Sequence, residues 1–305
     1  MNYTITFNPA LDYFIETRDF KEGALNRIDS ETYLIGGKGL NVSLLLSEFG
    51  IASCALGFMG GFTGNYLTNL LKKHSIAHDF IEVNGQTRIN VKLKSKKETE
   101  LNAKGPKILR PQYEAFFSQL KQKLKKGDTV FLSGNLAPGM EAKDYERIGE
   151  LCQKTQVNFI LDSNRELVTS CLTYRPFLIK PNQQELADIF NSVIHTDKDV
   201  IKYAKRLQQQ GAQNVLVSLG ADGAILLTSD SKIYRSKSAP GKLVNSVGAG
   251  DSMLAGFMAE YQSSKSFKNA LKVGTAAGAA TAFSLGIAER KLMDSLVDKI
   301  KIQEL

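Results

Sequence analysis

The sequence is poor in the residues that bind metals or form disulfides. Its three cysteines, Cys54, Cys152 and Cys171, are odd in number, far apart and without a C-x-x-C pair. That usage is typical of a reducing compartment and argues against a disulfide framework or a zinc site. His74 and His78 have i, i+4 spacing but lack the glutamate of an H-E-x-x-H motif, so no histidine metal site is predicted.

Long apolar runs are also missing. No segment approaches the ~18 apolar residues that a membrane-spanning helix needs, and the first residues, MNYTITFNPALDYF, lack the basic and apolar regions of a signal peptide. The net charge of +8 could serve nucleic acid, anionic lipid or anionic small substrates, but no nucleic-acid-binding motif accompanies the scattered lysines. We therefore expect a cytoplasmic protein with no membrane or nucleic-acid partner.

Three widespread enzyme motifs are absent as well. The Walker A pattern G-x-x-x-x-G-K-[ST] does not occur, and no G-x-G-x-x-G stands between a strand and a helix with an acidic residue downstream. A nucleophile elbow for a serine hydrolase is not visible either. These absences argue against a P-loop NTPase, a Rossmann dehydrogenase and an α/β-hydrolase.

Short apolar runs alternate with amphipathic segments along most of the chain. The strand-like runs cover residues 128–134, 158–163, 177–181 and 214–220, and the helix-like segments cover 144–154, 182–190 and 197–211. Strands alternating with helices of this length are typical of βαβ units. The sequence predicts one α/β domain over residues 1–305, with a mostly parallel central sheet flanked by helices.

A second pattern interrupts this rhythm. Residues 26–34, 87–94 and 98–103 alternate apolar and polar side chains with no long helix between them, and KLKSKKETELN is typical of a hairpin. We predict a small antiparallel sheet inserted at about 12–35 and 86–104. Such an appendage can serve as a lid that excludes water from a site, as a packing or dimer surface, or as both.

Polar and glycine-rich residues follow the predicted strands, where open α/β sheets bind ligands. The residues at these positions are Asn8, Asp12, SGNLAPG (133–139), Asp162, Lys180, Asn182 and SLGADG (218–223). Each glycine-rich turn, including LIGGKGLN (34–41), is explained equally well by a simple turn. The start of a helix with its cap likewise explains IKPNQQE (179–185).

The segment VNSVGAGDSMLAGF (244–257) places glycines directly before a carboxylate and a helix. Free N–H groups and the dipole at a helix start favour an anion there. Asp251 could instead be an ordinary helix cap.

Taken together and in this order, GGKGLNV, SGNLAPG, N-x-x-E at 182–185, SLGADGA and VNSVGAGDSMLAGF resemble the ribokinase/PfkB family of sugar kinases. The resemblance runs from Asn8 to about Phe283. It implies a ribokinase-like α/β fold and transfer of the γ-phosphoryl group of ATP, with Mg²⁺, to a sugar hydroxyl. It also implies a homodimer through the lid.

Within the family, FNPALDY, TRINVKLK and ETELNAKGP are most similar to the members that convert D-fructose 1-phosphate to D-fructose 1,6-bisphosphate. Phosphorylation of tagatose 6-phosphate or fructose 6-phosphate is the alternative. A catalytically inactive sugar-phosphate sensor is a third possibility, against which the intact Gly248, Gly250 and Asp251 argue.

The resemblance also assigns residues. Asp251 would be the catalytic base, and Gly248, Ala249 and Gly250 would form an anion hole for the transferring phosphoryl group and contact the nucleotide. Arg88 and Lys38 would hold the phosphate already on the sugar. The full sugar-phosphate set is Asp12, Gly37, Lys38, Asn41, Arg88, Asn90, Ser133 and Asp251.

The remaining assignments concern ATP and its metal. The nucleotide set is Lys180, Asn182, Glu185, Ser218, Leu219, Gly220, Ala221, Asp222 and Gly223, and Glu185 would reach Mg²⁺ through water. LDSNREL (161–167) stands where the family usually has DxSG, so Asp162 receives no role.

Overall fold

The computed structural model describes all residues from 1 to 305. The strands are β1 (Asn2–Thr6), β2 (Ala10–Glu16), β3 (Ser30–Gly36), β4 (Ser53–Met59), β5 (Ala77–Glu82), β6 (Arg88–Lys94), β7 (Glu98–Asn102), β8 (Thr129–Ser133), β9 (Asn158–Asp162), β10 (Leu178–Ile179), β11 (Asn214–Ser218), β12 (Ala224–Leu227), β13 (Ile233–Ser236) and β14 (Ile302–Glu304). The α-helices are α1 (Lys38–Glu48), α2 (Gly61–Lys73), α3 (Arg110–Lys123), α4 (Ala142–Thr155), α5 (Arg165–Cys171), α6 (Gln183–Phe190), α7 (Asp197–Gln209), α8 (Ala249–Ser264), α9 (Phe267–Ala282) and α10 (Arg290–Val297).

Ten strands form the main sheet, in the order β14-β13-β12-β11-β10-β9-β8-β1-β4-β5. From β11 to β5 all neighbours are parallel, and β12, β13 and β14 add antiparallel pairs at one edge. The predicted α/β class with a mostly parallel sheet is confirmed. Because parallel strands end on the same side, the carboxyl ends of β1, β8, β9, β10 and β11 lie side by side.

Helices cover both faces of this sheet. Alternate strand residues face opposite sides: Val130 and Leu132 pack in one core with α3–α7, whereas Phe131 packs in the other with α1, α8, α9 and α10. Burial on both faces explains why these strands are apolar throughout. No helix combines the length and the apolarity needed to cross a membrane.

Helices α8 and α9 lie unusually close to each other. A Cβ added at Gly274 would stand 2.7 Å from the carbonyl oxygen of Met253, and one added at Gly278 would stand 3.2 Å from the Cβ of Met253. The small residues of VGTAAGAATAF therefore allow the close contact that fixes α8 against the sheet.

A second sheet of four strands, in the order β3-β2-β6-β7, forms the lid. The β2–β3 and β6–β7 pairs are antiparallel as predicted, including the hairpin between β6 and β7, whereas β2 and β6 pair in parallel. Strands β2 and β6 follow β1 and β5, which run in the same direction in the main sheet, and this explains the parallel pair. Asp12 lies in the middle of β2 on the lid rather than at the end of the first strand.

Candidate active site

Unpaired polar atoms collect at the carboxyl edge of the main sheet. Four of the five buried side-chain polar atoms without a hydrogen-bond partner, Thr6 Oγ1, Asn8 Oδ1, Ser133 Oγ and Asp162 Oδ2, lie there. They stand at or just after the ends of the neighbouring strands β1, β8 and β9. Buried polar atoms are normally paired. This edge is therefore where a ligand's polar groups can be received.

A buried carboxylate joins two lysines at this edge. Lys38, the first residue of α1, places Nζ 2.9 Å from Asp162 Oδ1, and Lys180, just after β10, places Nζ 3.2 Å from Asp162 Oδ2. Burial would raise the pKa of Asp162, but the two ammonium groups hold the pKa below its usual value. Burial would likewise lower the pKa of Lys38, yet the nearby carboxylates raise it.

Asp251 occupies the first turn of α8 and is buried. Asn41 Nδ2 donates to Asp251 Oδ2 at 2.8 Å. Burial, together with the negative charge of Asp162, raises the pKa of Asp251 to about 6, although Lys38 and Lys180 oppose the rise. A carboxylate with this pKa can accept a proton near neutral pH and is strong enough as a base to be useful.

The N-cap of α8 is Gly248, in the left-handed conformation with φ 79°, and Asp251 makes no capping bond. The simple cap interpretation of Asp251 is therefore wrong. Ala249 N–H donates to the carbonyl of Ser246 at 3.2 Å, whereas the N–H groups of Gly250 and Asp251 have no acceptor. The Gly248 N–H has no acceptor either, so of the three N–H groups that the sequence assigned to the anion hole only that of Ala249 is occupied, and the Asp251 N–H is an additional free donor.

The lid holds a second polar group that faces the site. Asn90 Nδ2 on β6 donates to Asp12 Oδ1 on the adjacent β2 at 2.9 Å, and Asn90 Oδ1 accepts from the Ala103 N–H at 3.2 Å. Burial raises the pKa of Asp12. Gly36 on β3 leaves room for this carboxylate, because a Cβ there would lie 2.5 Å from Asp12 Cγ.

Arg88 and Lys38 contact different groups. Arg88 Nε donates to the carbonyl of Asn8 at 3.1 Å and Nη1 to that of Ala103 at 3.2 Å, leaving Nη2 without an acceptor. Lys38 instead lies with Asp162 and within 4.0 Å of Glu185. The two side chains thus have separate partners here, and the assignment of both to one phosphate stays a prediction.

The N-x-x-E segment forms a capping box at the start of α6. Asn182 Oδ1 accepts from the Glu185 N–H and Glu185 Oε2 accepts from the Asn182 N–H, both at 2.8 Å. The helix-cap interpretation is thus correct, and Glu185 Oε1 still points toward Lys38 at 4.0 Å. Gly37, with φ 114°, caps α1 in the same region.

The segment Ser218–Gly223 is a turn between β11 and β12. The Leu219 N–H donates to the Gly223 carbonyl at 2.8 Å, and Ser218 bridges to Asn182. The tip, residues 220–222, is exposed. The turn interpretation is correct, and the bridge places the exposed tip beside the start of α6.

Asp162 is the residue that the sequence analysis placed at a strand end but left without a role. It follows the apolar run NFIL and ends β9, and this position at a strand end was the signal that could have identified it. The departure of LDSNREL from the family pattern obscured that signal.

The chain is similar to known proteins along its whole length. The pfkB family of carbohydrate kinases matches residues 5–292. The chain is 41% identical to 1-phosphofructokinase of Bacillus subtilis over 305 residues, covering 100% of both chains. It is 37% identical to D-tagatose-1-phosphate kinase of Bacillus licheniformis over 306 residues, again covering 100% of both.

Among solved structures, phosphofructokinase-2 of Escherichia coli in complex with substrates and products superposes with a TM-score of 0.92 at 26% identity, with 97% of this chain and 98% of that chain covered. The same enzyme has been solved in a tetrameric, inhibited form. The family match spans most of the chain and the relatives match it end to end. The chain therefore belongs to the pfkB family of carbohydrate kinases.

Proposed function

We propose that this kinase transfers the γ-phosphoryl group of ATP to the C6 hydroxyl of D-fructose 1-phosphate, giving D-fructose 1,6-bisphosphate. The observation that carries the chemistry is a buried carboxylate, Asp251, whose pKa is raised to about 6, beside two unpaired N–H groups at the start of α8. The similarity to 1-phosphofructokinase supports the choice of substrate.

Asp251 accepts the proton of the attacking hydroxyl as the new P–O bond forms, and Asn41 holds its carboxylate in place. The N–H groups of Gly250 and Asp251 receive the oxygens of the transferring phosphoryl group, aided by the helix dipole. Lys180 lies beside them, since a Cβ on Gly250 would be 3.1 Å from its Nζ. Phosphoryl transfer needs mainly such positioning and charge stabilisation.

The sugar phosphate lies between this edge and the lid. Asp12, oriented by Asn90, hydrogen-bonds the ring hydroxyls, and Gly37 and Ser133 border the same space. Arg88 binds the C1 phosphate through its free Nη2, because a guanidinium suits phosphate oxygens. Lys38 then acts at the transferring group near Asp251 rather than at the C1 phosphate.

The residues fit a magnesium ion that arrives with ATP. The site holds three carboxylates, Asp162, Asp251 and Glu185, and only two ammonium groups, those of Lys38 and Lys180. No three metal-ligating side chains are clustered closely enough to bind a metal ion by themselves. Mg²⁺ usually keeps several waters and binds substrate phosphates. Glu185 would hold it through water by Oε1, and the ion supplies charge neutralisation of the phosphates when bound.

The nucleotide extends from this point along the exposed turn that follows β11, with Lys180 and Asn182 nearest its phosphates. The residues of the turn are Ser218, Leu219, Gly220, Ala221, Asp222 and Gly223. The use of ATP and the three free cysteines suit the cytoplasm.

Tagatose 1-phosphate is the second candidate substrate, because a D-tagatose-1-phosphate kinase is 37% identical to this chain. It differs from fructose 1-phosphate only in the configuration at C4. We would compare kcat/KM for fructose 1-phosphate, tagatose 1-phosphate, fructose 6-phosphate and tagatose 6-phosphate with Mg-ATP. Preference for a 6-phosphate would overturn the assignment of the C6 hydroxyl as the phosphoryl acceptor. Absence of turnover on all four substrates would favour a catalytically inactive sugar-phosphate sensor.

We propose in addition that the protein forms a homodimer through the lid. Apolar side chains are exposed on it, namely Phe20, Leu25, Ile28, Ile89 and Leu101. Exposed apolar side chains gathered on one element are typical of an interface, and we propose that two copies pair through their lids. Sedimentation of the purified chain would give a dimer, and Leu101→Glu would give a monomer. A monomeric parent chain would contradict the proposal.

The raised pKa of Asp251 predicts a pH dependence. The base acts only when ionised, so kcat/KM should fall about tenfold per unit below pH 6. Lys38, Lys180 and Asp162 are the charged groups that face it. Phosphate monoesters also titrate near pH 6. The same pH profile is therefore recorded for variants of the groups that face Asp251, because the titration of the substrate is identical in all of them. An acid limb of the pH profile that stays in place when the neighbours of Asp251 are substituted would report titration of the substrate phosphate and not of Asp251.

Arg88→Ala should raise KM for fructose 1-phosphate about 10- to 100-fold, because a lost charge-assisted hydrogen bond is worth about 1.5–3 kcal/mol. KM for ATP should change less than threefold or so. Arg147→Ala is the matched control, since its guanidinium pairs with Glu114 on the outer surface of α3 and α4. Equal rises in both KM values would make Arg88 a structural residue.

A further inference from the structure

We propose that Asp162 is a positioning residue, whose buried carboxylate holds Lys38 and Lys180 on either side of the path of the transferring phosphoryl group. The proposal rests on the kinase function above. It concerns an aspartate that ends β9 and makes no contact with the lid.

The geometry divides the two oxygens of Asp162 between two lysines. Oδ1 accepts from Lys38 Nζ at 2.9 Å, and Oδ2 lies 3.2 Å from Lys180 Nζ. The carboxylate is 1% exposed, so water cannot replace either lysine as its partner. Each lysine is therefore held at a fixed place by the same group.

Each lysine also reaches a different part of the site. Lys180 Nζ lies against Gly250 at the free N–H groups of α8, and Lys38 Nζ lies within 4.0 Å of Glu185 at the start of α6. Two ammonium groups without a shared anion would repel each other and turn away. Asp162 offsets that repulsion before substrate arrives, which is preorganisation of the kind that lowers a barrier.

The structural alternative is that Asp162 only stabilises the fold. Its neighbours argue against that role, because the cap of α5 is Asn164, which accepts from Leu167 N–H at 3.1 Å without help from Asp162.

Asp162→Asn keeps the size of the side chain and removes its charge. We expect kcat for fructose 1-phosphate to fall about 10²-fold, as for other misplacements of a catalytic group. The acid limb of kcat/KM should move to lower pH, since the charge of Asp162 raises the pKa of Asp251. Lys180→Met should move the limb the opposite way, because Lys180 lowers that pKa.

Asp144→Asn is the matched control. Asp144 is equally buried and lies 2.6 Å from Arg110 at the start of α4, where it also closes a capping box. Its loss should lower the melting temperature and leave the acid limb of kcat/KM where it is. Asp162→Glu should not retain activity, because a longer side chain would displace both lysines.

A direct titration separates this proposal from the substrate assignment. The ¹³C shift of the Asp251 carboxyl, identified by its absence in Asp251→Asn, is followed with pH in the free protein. A lower pKa in Asp162→Asn and a higher one in Lys180→Met support the proposal whatever the sugar. An unmoved pKa, with activity lost only in proportion to folded protein, would overturn it. If Asp162→Asn does not fold, the Lys180→Met shift decides.

Discussion

Asp251→Asn should lower kcat by roughly 10²–10⁴-fold, the range expected for loss of a general base. Asparagine preserves the shape of the side chain and can still bond to Asn41, but it cannot take up the proton of the attacking hydroxyl. Binding of the sugar phosphate and of Mg-ATP should survive, because neither is held mainly by this carboxylate. Single-turnover kinetics and calorimetric titration of each substrate would measure the two effects separately.

The same variant should be more stable at neutral pH than the parent. The native state binds the Asp251 proton more tightly than the unfolded chain does, since the pKa rises from 3.8 to about 6. Native stability is therefore lost as the pH rises through this window, by about 3 kcal/mol. Removing the charge restores it, so Tm at pH 8 should rise by roughly 5 °C, with no difference below pH 4.

This stability gain makes the activity result easy to interpret. An inactive variant that melts higher than the parent has not lost activity through unfolding, and Asp144→Asn, which should melt lower, gives the contrast. Near-normal turnover by Asp251→Asn would remove Asp251 as the base. A lower Tm at pH 8 would mean that its negative charge is well stabilised in the native state.

The sequence predicts features that depend on local pattern. Alternating apolar segments gave the parallel sheet, and the hairpin between β6 and β7 follows from its charged turn. The GAGD segment was placed at a helix start because glycine, carboxylate and helical spacing are adjacent in the chain. In each of these cases the determining residues lie within one turn or one strand of each other.

Features set by distant pairs were not predictable in this way. Lys38 and Asp162 are 124 residues apart, and only the folded sheet shows that the ammonium group of Lys38 pairs with this carboxylate. The parallel β2–β6 pair joins segments that no turn connects. The Ala249 N–H donates to the carbonyl of Ser246 because of the conformation of the loop before α8, and the sequence pattern does not predict that conformation.

Gly36→Ala should damage sugar binding through a clash with one side chain. A Cβ at this position would stand 2.5 Å from Asp12 Cγ and Oδ2 and 2.6 Å from Oδ1, and its backbone is not in a conformation reserved for glycine. The carboxylate must move and would lose its bond to Asn90. We expect KM for fructose 1-phosphate to rise about 10- to 100-fold, the cost of a charge-assisted hydrogen bond, with KM for ATP unchanged.

Two comparisons decide whether the effect passes through Asp12. Gly286→Ala is the matched control in the same cavity as Asp12, because its Cβ would meet nothing closer than Leu34 Cδ1 at 3.8 Å. In an Asp12→Ala background there is no carboxylate to displace, so Gly36→Ala should add little further loss. Full additivity of the two substitutions would show instead that Gly36 acts on the lid backbone. The recognition of sugar hydroxyls would then have to be assigned to residues other than Asp12.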